Sequence, residues 1–189
     1  TDDDTADQLA MAFALDVAAY DQRGCLSPQV VYVEDNGWVS PQRFAERLHH
    51  ALARLAVSLP RGPLDPQVGA QQVQFRGVGA ALGRLFEGDG WSVTYEGELP
   101  VRPTPGFRNI AVHGYADPAS LLTKLTPLGR HLKAIGYAGG EEQRQPFAEA
   151  LPHQLAPRVC APGAMQTPPF TCVWDGLPAW HGLLRYVAR

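Results

Sequence analysis

The chain carries three cysteines, Cys25, Cys160 and Cys172, and they are the side chains best suited to covalent chemistry. Cys25 lies in the stretch 20–29, YDQRGCLSPQ, directly after Gly24. The thiolate is the nucleophilic form, and a free thiol near pKa ~8.5 needs a cation, a helix N-terminus or a base to reach it at neutral pH. Arg23 is close in sequence, and a turn at Gly24, Cys25 and Leu26 offers backbone N–H groups that could face a developing oxyanion. The missing side chain at Gly24 would let a substrate carbonyl approach. On residue type alone, however, a lone cysteine is more often a small buried hydrophobe than a catalyst, so both readings stand at this point. Cys160 lies in a strand pattern and is expected in the core. Cys172 follows a proline-rich loop and reads as core or surface.

The other reactive types are scattered. His49 and His50 are adjacent with no histidine four residues on, so they do not build a metal site, and no cysteine pair has zinc spacing. His113, His131, His153 and His181 are isolated and read as packed or surface residues. Trp174 and Trp180 fit either an acyl tunnel or ordinary packing at a domain edge. Charged residues make up 19% of the chain, with 16 basic against 19 acidic and a net charge of -3, which gives no electrostatic reason to expect nucleic acid or an anionic membrane as partner. No apolar run approaches the ~18 residues of a bilayer span, and the few cysteines suit a reducing setting, so a cytoplasmic protein is expected.

The elements that must hold Cys25 follow from periodicity. Apolar residues at 6, 9, 10, 13, 14, 17 and 18 predict an amphipathic helix over 5–20, ending in the Gly24 turn. Residues 29–34 form a β-rich run and 35–37 a turn. Ser40 and Pro41 open a helix with the stripe Phe44, Leu48, Leu52, Leu55 and Leu59. A second helix is predicted over 66–86 with glycines 77, 79 and 83 in it, followed by a half-buried alternating strand over 91–96 and an irregular proline-rich loop over 97–107. Strands are predicted at 109–115, 133–138 and 158–161. Helices are predicted from Asp117-Pro118 through Leu132, over 146–155, and over 178–187. Strands separated by helices argue for one α/β domain with a largely parallel sheet covered on both faces.

The run DVAAYDQRGCLSPQVVYVE resembles the active-site segment of LuxC-like acyl-CoA reductases, the fatty-acyl reductases of the aldehyde dehydrogenase superfamily. WSVTYEG, RPTPGFRNIAVHGY, LTPLGRHLKAIGYAGG and PGAMQTPP resemble successive later blocks, so the similarity covers nearly the whole chain. The resemblance implies a three-layer α/β/α catalytic domain over 1–189 and a reaction in which Cys25 takes an activated fatty acyl group as a thioester. NADPH then supplies a hydride to give the aldehyde, and Gly24 shapes the turn that presents the thiol. It further implies an acyl-activating enzyme as partner and a homo-oligomer. The sequence departs from the pattern before Asp175-Gly176, where Cys172, Val173 and Trp174 stand in place of aromatic and histidine residues. The glutamate-phenylalanine motif that holds the cofactor ribose is missing as well, and Glu96 or Glu98 is the expected substitute.

Only 24 residues precede Cys25. No strand runs through a glycine-rich turn into a helix, and glycines 77–83 read as helix packing. The expectation is therefore a catalytic domain whose nucleotide-binding domain is absent from the chain, a processed product or fragment. The alternatives are a non-catalytic assembly module, and a cysteine acyltransferase or thioesterase that uses no nicotinamide.

Overall fold

A computed structural model describes residues 2–152, 157–174, 177, 178, 180 and 181. Helix α1 (Asp2–Ala18) runs into a short 3-10 turn, Ala19–Gln22, and the Cys25 turn leads to strand β1 (Val30–Glu34). Helices α2 (Pro41–Ser58) and α3 (Pro66–Leu82) come next, and strands β2 (Arg84–Gly88), β3 (Trp91–Tyr95) and β4 (Asn109–Tyr115) complete the main sheet. Helix α4 (Pro118–Leu125), β5 (Ala134–Gly136), α5 (Glu141–Ala150) and β6 (Arg158–Cys160) build a smaller layer, with the short pair β7 (Val173–Trp174) and β8 (Leu177–Pro178) beyond it.

The helix starts are set by local chemistry. Ser40 Oγ accepts from the Arg43 N–H at 3.4 Å with Pro41 at the first helical position, and Asp65 accepts from the Gln67 N–H at 2.8 Å ahead of Pro66. At α4 the cap is reciprocal: Asp117 accepts from the Ser120 N–H at 2.7 Å while Ser120 Oγ accepts from the Asp117 N–H at 3.1 Å.

The main sheet has the order β1-β4-β3-β2. The β1–β4 and β3–β4 pairs are parallel, and β2 joins antiparallel to β3. This is the expected mixed α/β architecture with a mostly parallel sheet. One face packs on α1 and α2: Trp91, Val93, Ile110 and Val112 meet Ala10, Ala14, Phe44, Leu48 and Leu52. Alanines four apart on α1, including Ala6, Ala10 and Ala14, are essentially inaccessible, so the α1 backbone lies close to its neighbours. Each buried leucine on α2 contributes about 1.5–3 kcal/mol by leaving water. The opposite face carries Ser92 and Thr94, against which α3 lies so closely that a Cβ at Gly79 would clash with the Thr94 side chain. On the β1 side that face is covered by Leu125 and Leu151 with Tyr32, Leu121, Ile135 and Phe147.

Several predicted elements differ. The helix expected over 66–86 ends at Leu82, and Arg84–Gly88 is a strand. The physical reason is the Asp89-Gly90 pair: Gly88 pairs with Trp91 across a two-residue hairpin loop, and Gly90 sits at φ 104°, where a residue with a side chain is strained. Of the glycines read as helix packing, Gly79 does pack, whereas Gly77 faces open space. The strand expected to be half-buried, β3, has both faces covered, so Ser92 and Thr94 are as inaccessible as Val93. The helix expected over 146–155 is α5, which starts at Glu141, where Glu141 and Glu142 suit the positive helix end, and closes at Ala150. His153 lies outside the described residues, as do Asp175, Gly176 and nearly all of the helix expected over 178–187; Pro178 itself ends β8. No described helix is long and apolar enough to cross a membrane.

Candidate active site at the Cys25 turn

Cys25 is exposed on a turn closed by the Ser27 N–H, which donates to the Gly24 carbonyl at 3.0 Å. The turn stands just before β1, at the edge where the parallel strands begin. Immediately before it, Tyr20, Asp21 and Gln22 have φ of 53°, 53° and 58°. Such left-handed backbone costs a residue with a side chain roughly 1–2 kcal/mol each, so the surrounding contacts must hold it.

Most of those contacts come from residues 106–109, where the proline-rich loop runs into β4. The Asp21 carboxylate accepts from Arg108 Nε at 2.9 Å and pairs with its Nη2 at 2.7 Å, and it takes the Gly62 N–H at 3.3 Å. The Asp21 carbonyl accepts from the Phe107 N–H at 2.9 Å. Gln22 is buried; its amide donates to the Pro28 carbonyl at 2.7 Å and accepts from the Asn109 N–H at 3.0 Å. Phe107 and Arg108 are themselves left-handed, with φ of 53° and 66°, so two strained segments lock against each other. Gly106 is required here, because at φ 72° a Cβ would also sit 3.2 Å from the Gln22 carbonyl oxygen.

A second clamp reaches the Cys25 turn from the far end of the chain. Asp16 is buried in α1, and its carboxylate accepts from the Gly163 N–H at 2.6 Å and the Met165 N–H at 3.0 Å. Burial pushes the Asp16 carboxyl above its ordinary pKa, against the pull of those N–H groups and of Arg158. Arg158 fixes the same loop by donating to the Met165 and Ala164 carbonyls at 3.1 and 2.9 Å. The Gln166 amide, held in this way, donates to Ser27 Oγ at 3.1 Å, and its oxygen would lie 3.3 Å from a Cβ at Gly24. Neither Asp16 nor Gln166 is singled out by sequence; Gln166 meets the turn across about 140 residues of chain and Asp16 meets the 163–166 loop across about 150, and no local pattern announces either.

The clamps leave the reactive groups open. Among the described residues, the N–H groups of Gly24, Cys25 and Leu26 donate to no protein acceptor. Arg23 is less free: its Nε donates to the Tyr20 carbonyl at 3.2 Å and its guanidinium lies 5.7 Å from the Phe107 ring centre. Cys160 is the opposite of Cys25, being buried with its thiol pKa pushed up by desolvation. Cys172 is half-buried.

Glu96 and Glu98 are not brought to the turn. They follow β3, at the edge where the parallel strands end, a five-residue strand or about 16 Å from its start. Glu96 is buried, and its Oε1 accepts from Thr94 Oγ1 at 2.7 Å and from Arg102 Nε and Nη2 at 3.0 and 2.5 Å. Burial would raise its pKa, yet the bonds from Arg102 and Thr94 prevail and hold it below the usual value. A carboxylate so occupied does not fit a ribose, and Glu98 is exposed. His113 is fully buried beside this region; neither ring nitrogen has a hydrogen-bond partner of good geometry among the described residues. Burial lowers its pKa, opposed by Glu96 and the Gly97 backbone. Among the described residues no group of histidine, cysteine and carboxylate side chains could hold a metal.

A family model described as acyl-CoA reductase (LuxC) matches residues 1–186. Comparison with curated proteins finds no match.

Proposed function

The chain belongs to the LuxC acyl-CoA reductase family, and on that premise we propose that it captures an activated fatty acyl group, from an acyl-CoA or acyl-adenylate, as a thioester on Cys25 on the way to the aldehyde. The observation that carries this reading is the exposed thiol on a turn whose backbone N–H groups meet no acceptor among the described residues, with the strained segment just before it held by buried ion-pair and hydrogen-bond clamps.

The Cys25 sulfur, as thiolate, attacks the acyl carbonyl carbon, and the N–H groups of Gly24, Cys25 and Leu26 receive the negative charge that develops on the oxygen. Collapse of that adduct expels the CoA thiolate or the adenylate and leaves the acyl group on sulfur. A Cβ at Gly24 would stand 3.3 Å from both Gln166 Oε1 and Ser27 Oγ, so the bare glycine lets those two side chains close on the turn and keep it from relaxing. Reduction then takes a hydride, which reductases of this family typically draw from NADPH. Glu96 is committed to Arg102 and Thr94 and neither glutamate lies at the Cys25 turn, so we propose that a separate nucleotide-binding domain holds most of the cofactor and that residues 1–189 supply the acyl-capture half of the reaction.

Intact-mass measurement after incubation with a fatty acyl-CoA or acyl-adenylate should show one acyl adduct, lost in Cys25→Ala and kept in Cys172→Ala. Undiminished labelling of Cys25→Ala would sink the proposal. An adduct that discharges to water or another thiol, with no aldehyde when NADPH and the cofactor domain are supplied, would favour an acyltransferase or thioesterase.

A further inference from the structure

The edge of the sheet that presents Cys25 also gathers three arginines whose charges are unequally neutralised. Arg108 is fully engaged, by Asp21 and by the Leu59 carbonyl at 2.6 Å. Arg76 makes long contacts only, to Asn109 Oδ1 and the Trp91 carbonyl at 3.4 Å each and to the exposed Glu87 at 3.9 Å. Arg61 has least of all: its Nε and Nη1 are buried with no hydrogen-bond partner among the described residues. The three lie together. Arg61 packs on Gly90, where a Cβ would stand 3.1 Å from its Nε, and Arg76 reaches the next residue, Trp91. Arg108 holds Leu59, two residues before Arg61, and its carbonyl accepts from Ser92 at 2.9 Å. Gly62, the neighbour of Arg61, donates to the same Asp21 carboxylate that anchors the segment before Cys25.

A guanidinium with two nitrogens taken out of water and left unpaired is costly, and two further cations beside it raise the cost. The carboxylates in reach do not settle it, since Asp21 is committed to Arg108 and Asp89 is exposed. Desolvation, with Arg76 and Arg108, lowers the Arg61 pKa against the opposing pull of Asp21 and Asp89. Arg61 as a residue is half-buried, so an anion would meet its solvent-facing part, and pairing the buried Nε and Nη1 would take a small shift of the side chain toward it.

We propose that Arg61, supported by Arg76, is a phosphate-binding site on the Cys25 edge of the sheet, taking a phosphate of a nucleotide-bearing ligand. Arginine suits that anion by charge and by multiple N–H donors. The phosphate has two sources in the proposed reaction, the acyl donor or the 2′-phosphate of NADPH. The choice between them rests on the acyl-capture reading of Cys25, whereas the site itself does not.

The test is thermal unfolding of the 189-residue chain with inorganic phosphate, followed by titration of ligand pairs. Phosphate should raise Tm with concentration, as any ligand of the native state does. The rise should vanish in Arg61→Met and persist in Arg54→Met, which removes a charge from the exposed side of α2. Without phosphate, Arg61→Met should match or exceed the wild-type Tm, because it removes an unpaired buried charge. A wild-type protein indifferent to phosphate, or an Arg61→Met protein that keeps the response, overturns the site. Coenzyme A against its 3′-dephospho form, AMP against adenosine, and NADPH against NADH then identify the source. The phosphate-bearing member of one pair should bind about ten- to a hundredfold more tightly, a difference lost with Arg61. No discrimination in any pair overturns the assignment to a nucleotide. Cys25→Ser separates the two proposals: it should keep every phosphate response, so loss of acyl labelling with intact phosphate binding counts against the proposed function alone.

Discussion

The two ends of the main sheet are each secured by an arginine-carboxylate pair, and the pairs serve opposite ends. Where the strands begin, Arg108 holds Asp21, and a few residues on stand an exposed thiol and three N–H groups with no acceptor among the described residues. Where the strands end, Arg102 holds Glu96, donates to the Phe75 carbonyl at 2.9 Å and lies 3.7 Å from the Phe75 ring centre, and the carboxylate is used up. The same ion pair thus builds a platform in one place and a plug in the other. What separates them is backbone: Asp21 sits in a left-handed run that has to be held, whereas Glu96 directly follows a regular strand. A buried charged residue is therefore weak evidence of a site until its partners have been counted.

That contrast can be broken most forcefully at its arginines. Arg108→Ala should cost about 3–5 kcal/mol in denaturant unfolding by stranding Asp21, and acylation of Cys25 in the surviving folded protein should slow because the strained segment relaxes. Arg102→Ala should destabilise by a similar amount, about 3–5 kcal/mol, through the buried Glu96, with the acylation rate of the folded fraction unchanged. Equal slowing in both variants would dissolve the distinction.

Smaller effects sharpen it. Gly106→Ala adds a side chain at a positive φ against the Gln22 carbonyl and should cost about 1–3 kcal/mol with slowed acylation, read by unfolding and by intact-mass time courses. The strand-end region should govern the acid limb of stability. Glu96 titrates below its ordinary value in the folded state, so its contribution is present above the unfolded glutamate pKa and is lost as pH falls through the folded value. His113 has a lowered pKa as well, so the stability of its neutral form is present above about pH 6.5 and declines as pH falls toward the folded value. His113→Asn should flatten the upper part of that decline in a Tm-against-pH series, and an unchanged slope would show that the imidazole is not what titrates there. Least of all, Gln166→Ala should cost about 1 kcal/mol, one side-chain hydrogen bond to the turn, with the larger change in acylation rate.

Much of the scaffold is written in local pattern. The 3.6-residue apolar rhythm marks α1 and α2, Ser40-Pro41 and Asp117-Pro118 mark helix starts, and the valine-rich run marks β1, because caps and periodicity act over a few residues. The helix expected through residue 86 fails for a local reason too, since Asp89-Gly90 is a hairpin signal that outweighs the apolar spacing before it. Glu96 looks like any acidic residue after a strand, and only the return of Arg102 in the proline-rich loop shows that it is consumed. Asp16 reads as one polar position on a helix until residues 163–166 fold back onto its carboxylate.

The sequence by itself determined the α/β class, the family resemblance and the place of Cys25 on a turn, since each depends on residues close together in the chain. Tertiary structure alone decided that the thiol is exposed while Cys160 is not, that the end of the proline-rich loop clamps the segment before Cys25, and that two Arg61 nitrogens find no partner among the described residues. Those outcomes depend on desolvation and on pairings between residues up to about 150 positions apart, and a charge or a donor shows whether it is spent only when the partners that could spend it have been brought within bonding distance.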